Sequence, residues 1–238
     1  MVVLITGSSS GIGETVARRL AEEGHQVVLM ARRADLLEAV AGEINTNGNT
    51  QALSAPGDVG VWDDCARVVE DAKTEFGGID AVINAAGTWV QEPLIEAGPE
   101  DIQRFVQTDV TGALLVTRAT LPSLIESKDG RLIHINGLQG FIRQRPPVLY
   151  AAVESAVRGL CESLRWEAAP YGVHLGLITL GAVANTEPPT PRRNALIKEG
   201  RRKFLSRSEV ADAVLFMLTR PHGVNIDEIV LTPLGTSL

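Results

Sequence analysis

The chain has 238 residues, is 45% hydrophobic and carries a formal net charge of −7. That is enough apolar content to bury one sizeable core, and the charge argues against a nucleic-acid or anionic-membrane surface. Two cysteines, Cys65 and Cys161, exclude a disulfide framework; both fall in helical patterns and read as small core or interface residues.

Val2 to Ile5 reads as a buried strand, and Thr6-Gly7-Ser8-Ser9-Ser10-Gly11-Ile12-Gly13 follows it directly. Gly7 permits a tight turn, Gly11 lets a ligand approach the backbone, and Gly13 allows a helix to pack closely on the strand. The free N–H groups of the helix that begins near Ile12 then suit a pyrophosphate. That helix runs to Glu23 and ends at Gly24, and Gln26 to Met30 forms the second strand. Ala31-Arg32-Arg33 stands where an NAD site usually places an acidic residue for the ribose hydroxyls. Guanidinium groups there suit a 2′-phosphate and favour NADP(H), although two solvated arginines opening the helix Ala34 to Ile44 are the plainer alternative.

The third strand lies near Thr50 to Leu53, followed by Asp58-Val59, a helix from Val61 to Phe76 ended by Gly77-Gly78, and a fourth strand from Ile79 to Ile83. This strand delivers Asn84-Ala85-Ala86-Gly87 to the edge that carries the glycine loop. Trp89 beyond it either walls a substrate pocket or covers the core. A helical stretch follows from Glu100 to Ser127 with a bend or break expected near Pro122. Then come a strand from Arg131 to Ile135, a helix from Val148 to Ala169 with small residues at Ala151, Ala152, Ser155, Ala156 and Gly159, and a strand from Val173 to Ile178. The proline-containing segment 181–203 reads as a substrate lid. A helix from Arg207 to Leu218 and a strand from Ile226 to Leu231 close the chain.

Strands alternating with helices predict a parallel seven-stranded α/β sheet, doubly wound, with helices on both faces. No linker or repeat divides it, so residues 1–238 are expected to form one domain. Met1 leads straight into the first strand, leaving no room for a signal peptide, and no apolar run is long enough to span a bilayer. A soluble cytoplasmic protein is the expectation.

The glycine motif, Asn84-Ala85-Ala86-Gly87, and Tyr150 followed by Ser155-Ala156-Val157-Arg158-Gly159-Leu160 resemble the short-chain dehydrogenase/reductase family over essentially the whole chain. The closing run Ser208 to Leu231 resembles its NADP-dependent hydroxy-acid and serine dehydrogenase branch. The resemblance implies a Rossmann domain, NADP(H), contact of Asp58 and Val59 with adenine, and a homodimer or homotetramer using the Tyr150 helix. It places cofactor contacts at Gly181, Val183 and Thr186 and a proton-donating tyrosine at Tyr150. The family's serine, lysine and asparagine positions hold Gly137, Glu154 and Asp109.

A carboxylate where lysine is expected opposes phenolate and weakens Tyr150 as a base, while a protonated phenol can still donate. Glu154 can also hold ribose. Without the serine, Asn136, Gln139 or His134 must polarise a carbonyl, or the substrate is a C=N or activated C=C bond needing less polarisation. His134, inside a strand, reads first as a packed, hydrogen-bonded residue. Two other readings stand beside a reductase: an acid/base pair drawn from Asp109, Glu154 and Tyr150, and a catalytically silent nucleotide-binding protein. Arg143, Arg145, Arg192, Arg193, Arg201 and Arg202 gather in the lid and the loop before Tyr150. They point either to an anionic small-molecule substrate or to a solvated basic loop.

Overall fold

The computed structural model describes residues 1–47, 50–88, 92–138, 147–184 and 204–234. The elements are β1 (Val2–Thr6), α1 (Gly11–Glu22), β2 (Gln26–Met30), α2 (Ala34–Asn47), β3 (Ala52–Ser54), α3 (Trp62–Phe76) and β4 (Ala81–Asn84). They continue with α4 (Pro99–Val106), a π-helical turn (Gln107–Thr111), α5 (Gly112–Glu126), β5 (Arg131–Gly137), α6 (Val148–Ala168), β6 (His174–Leu180), α7 (Arg207–Leu218) and β7 (Glu228–Leu231).

Seven parallel strands lie in the order β3-β2-β1-β4-β5-β6-β7. Alternation along each strand divides the core in two. Val3, Ile5, Val27, Leu29 and Ile83 face Val16, Leu20, Leu37, Val210 and Val214 of α1, α2 and α7. Val2, Leu4, Val28, Met30 and Val82 face Val68, Ala72, Val116, Leu124, Val157 and Cys161 of α3, α5 and α6. The expected doubly wound α/β sheet is what forms, and both cysteines sit in the second core layer. Burial raises their thiols to about 11 at Cys65 and about 12 at Cys161, as suits packing residues rather than nucleophiles.

Strand order reverses between β1 and β4, and in such sheets a crevice opens there at the C-terminal strand ends. Strands β5 and β6 reach two residues beyond their apolar patterns, to Gly137 and Leu180. Polar Asn136 and Thr179 are paired in the ladder even though hydropathy gives no sign of it. The long helical stretch is interrupted at Gln107–Thr111, not at Pro122, which lies inside α5. Three anchors hold that turn: Gln107 Nε2 donates to Gly60 O at 2.6 Å, Asp109 accepts from Thr88, and Gly112 sits where a methyl group would come within 2.6 Å of Val59 Cγ2. Helix α3 stops at Gly77, whose φ of +87° suits glycine and whose N–H caps Lys73 O at 2.9 Å. No helix among the described residues is long and apolar enough to cross a membrane.

Candidate active site

A cleft of about 880 Å³ opens at the crevice. Its floor is the glycine loop. Gly7, with φ +69°, lies so close to β4 that a methyl group there would be 2.8 Å from Ala85 O, and one on Gly13 would be 2.6 Å from Gly7 O. Gly11, with φ +66°, faces open space. Ser10 caps α1 without a side-chain bond to the helix, leaving the N–H groups of the first turn directed at the cleft beside Ile12. Asn84, Ala85, Ala86 and Gly87 form the opposite wall, held by Thr6 Oγ1, which accepts from Ala85 N at 3.1 Å and Ala86 N at 3.0 Å.

Arg33 closes one end. Its guanidinium donates to Ser9 Oγ at 2.8 Å and Ser10 Oγ at 2.6 Å, so a cation stands directly over the glycine loop. Arg32 reaches within 3.9 Å of Asp58 Oδ2, and Asp58 Oδ1 accepts from Gly60 N at 2.8 Å. Asp58 and Val59 line the cleft between these arginines and the π-turn.

The other end holds Tyr150, Glu154, Gly137 and Asp109. Tyr150 is buried in a small cluster with Phe105, Leu149 and Val153, its ring stacked on Phe105 at 6.3 Å between centroids and 14° between planes. A methyl group on Gly137 would lie 2.1 Å from Tyr150 Oη, 2.9 Å from Cζ and 3.0 Å from Glu154 Cδ. The phenol therefore fills the volume that a side chain at position 137 would take. Its hydroxyl donates to Glu154, and Glu154 Oε2 also accepts from Gly137 N. Glycine at 137 and glutamate at 154 thus form one arrangement with Tyr150.

Burial, then the neighbouring Glu154, raises the Tyr150 phenol far above its ordinary value, and burial likewise raises Glu154. Asp109 is raised to about 7, first by burial and further by Glu154, against the opposing bonds from Thr88 N and Thr88 Oγ1, the latter at 2.9 Å. Two carboxyls and a phenol, all disfavouring charge, share one end of the cleft. His134 is fully buried against Asn84 Nδ2 at 3.3 Å and lowered to about 4 by burial, so it is a neutral packed histidine at neutral pH. Asn136 donates its amide to Glu154 O at 3.3 Å and so braces α6 rather than standing ready for a substrate. Its Oδ1 is buried without a partner among the described residues.

Residues 1–195 match the short chain dehydrogenase family. The chain belongs to that family. It is 32% identical over 236 residues to an uncharacterized oxidoreductase of Staphylococcus aureus strain MRSA252, covering 98% of this chain and 96% of the relative. Among solved structures of the family it resembles an alcohol dehydrogenase from the archaeon Thermococcus sibiricus complexed with 5-hydroxy-NADP, at 26% identity and TM-score 0.86, covering 100% and 98% of the two chains. It also resembles serine dehydrogenase from Escherichia coli, at 27% identity and TM-score 0.85, with both chains fully covered.

Every described family-site position expected from sequence lines the cleft, including Gly181 and Val183, which are pinned by Gly181 N to Leu231 O at 2.8 Å and a bridge from Val183 to Leu205. Gln139, Thr186, Trp89 and the six lid and loop arginines lie outside the described residues, as does most of the expected lid. Thr88 and Arg207 are among the lining residues that the sequence did not mark. Thr88 holds Asp109, and its place beside Gly87 was the available signal; Arg207, at the start of α7, lines the cleft with no motif to mark it.

Proposed function

We propose that the chain is an NADPH-dependent oxidoreductase acting in the reductase direction on a small carbonyl, imine or activated alkene. The observation that carries the cofactor choice is the Arg33 guanidinium fixed over the glycine loop by Ser9 and Ser10, with no acidic residue at the end of β2. It suits a 2′-phosphate. The solved archaeal relative carries 5-hydroxy-NADP, which supports the same choice. Gly7, Gly11 and the first turn of α1 would hold the pyrophosphate, Asp58 and Val59 the adenine, and Asn84 to Gly87, Gly181, Val183, Thr186 and Glu154 the remainder. When bound, NADPH supplies the hydride.

Tyr150 moves the proton. While Glu154 is a carboxylate it holds the phenolic hydrogen, and Tyr150 offers the cleft only lone pairs. When Glu154 is protonated it donates to Tyr150 Oη instead, and the phenol turns its own hydrogen toward a developing alkoxide. Burial keeps Glu154 protonated at higher pH than an exposed glutamate, so the pair favours reduction. The same burial makes Tyr150 a poor base and disfavours alcohol oxidation.

Ala152, Ser155, Ala156 and Gly159 lie together on the exposed face of α6 and fit close helix docking in a homodimer or homotetramer. A second reading, a nucleotide-binding protein without catalysis, is favoured by the same glycine at 137, which leaves no hydroxyl to polarise a carbonyl. The test is titration of the purified protein with NADPH and NADH by tryptophan quenching, followed by NADPH consumption with ketones, imines and enones. Preferential NADPH binding with turnover upholds the reductase. Binding without turnover on any of the three supports the silent protein, and no binding of either nucleotide refutes both.

A further inference from the structure

We propose that Asp129, His174 and His222 form a binding site for a divalent transition metal such as Zn²⁺, at the end of the sheet opposite the cofactor cleft. The three residues come from different elements: the loop between α5 and β5, the first residue of β6, and the loop between α7 and β7. His174 Nε2 lies 3.0 Å from Asp129 Oδ1 and His222 Nδ1 lies 3.1 Å from the same oxygen. All three ligand atoms fall within 4.8 Å of one another. Ligands about 2.0–2.1 Å from a tetrahedral zinc stand roughly 3.3 Å apart, close to both His–Asp separations, so a small adjustment around one ion completes the set. Two imidazoles and one carboxylate with an open fourth position suit zinc, cobalt or nickel, not magnesium or calcium.

The frame is built before any ion arrives. The buried Arg131 guanidinium donates to Asp129 Oδ2 at 2.9 Å, leaving Oδ1 directed at the histidines. The same guanidinium donates to Met217 O at 3.2 Å and Arg220 O at 2.8 Å, fixing the end of α7 just before His222. Beyond His222 the chain turns sharply, with Gly223 at φ +83° and Val224 N bonded to Pro221 O at 3.0 Å. Asn225 Nδ2 then ties the loop to Leu175 O at 2.9 Å, next to His174. One buried side chain thus orients the carboxylate ligand and anchors the loop of a histidine ligand, the work of an outer ligand shell. The positive charge of Arg131 also opposes the ion, so the affinity is moderate.

Metal binding here clamps the loop that leads into the edge strand β7. The experiment uses full-length protein without a polyhistidine tag, freed of metal by chelation and titrated with Zn²⁺ by calorimetry. One saturable equivalent is expected, together with a rise in Tm. His222→Ala is the decisive variant, because that side chain is 73% exposed and its loss leaves folding intact. It should weaken Zn²⁺ binding by at least about tenfold and abolish the Tm rise, and Asp129→Asn should do the same. Absence of saturable binding in the unaltered chain, or binding unchanged in His222→Ala, overturns the proposal.

Discussion

Adding one methyl group at Gly137 tests whether Tyr150, Glu154 and Gly137 are a single unit. In Gly137→Ala the new carbon would stand 2.1 Å from Tyr150 Oη and 2.9 Å from Cζ, more than 1 Å inside ordinary contact at the hydroxyl. The ring cannot swing away freely, since it is 7% exposed and stacked on Phe105. Overpacking of a filled core costs about 1–3 kcal/mol. Driving the hydroxyl off Glu154 forfeits a charge-assisted hydrogen bond of about 1.5–3 kcal/mol. The expected loss is therefore roughly 2.5–6 kcal/mol, or about 5–24 °C in Tm for a domain of this size. Thermal and urea unfolding of Gly137→Ala, Tyr150→Phe and the double variant form the assay. Tyr150→Phe removes the atom at 2.1 Å, so Gly137→Ala should cost at least about 1 kcal/mol less in that background. A neutral Gly137→Ala, or equal costs in both backgrounds, would refute the reasoning.

Tyr150→Phe should also lower NADPH-dependent turnover by about 10²-fold or more while leaving the NADPH Kd unchanged, as steady-state kinetics and quenching titration would show. Arg33→Ala should weaken NADPH about 10–100-fold and NADH hardly at all, because it removes charged hydrogen bonds to a group that only NADPH carries. Asp109 rises from the ordinary 3.8 to about 7 in the folded chain, so the folded state holds its proton more tightly. Its contribution to stability is complete below about pH 4 and is lost as pH rises through about 7. Asp109→Asn should therefore flatten the fall in stability between those limits, measured by urea unfolding at several pH values.

The fold was legible because its signals are local. Apolar runs alternate with amphipathic helices, and Gly7, Gly11 and Gly13 mark the junction where a helix must meet a strand at close range. The helix Arg207–Leu218 opens on Ser206 and Glu209, a capping-box pair present in the sequence and formed in space. Strand ends were less legible where polar residues such as Asn136 and Thr179 continue a ladder. The π-turn at Gln107–Thr111 was invisible because its cause is tertiary: Thr88, Gly60 and Val59 hold it from elsewhere in the chain. The family resemblance placed Tyr150, Glu154 and Gly137 in one site. It gave no sign that the phenol would occupy the space above Gly137, which depends on the Phe105 stack and the reach of Glu154 from α6.

The most direct test of the central claim is the pH profile of NADPH-dependent reduction in the unaltered chain and in Glu154→Gln. Glu154 delivers a hydrogen to Tyr150 Oη only when protonated, so kcat should fall as pH rises through its raised pKa. The glutamine amide donates at every pH, so Glu154→Gln should retain turnover and lose that fall. An inactive Glu154→Gln, or one with the same declining profile as the unaltered chain, would contradict the account.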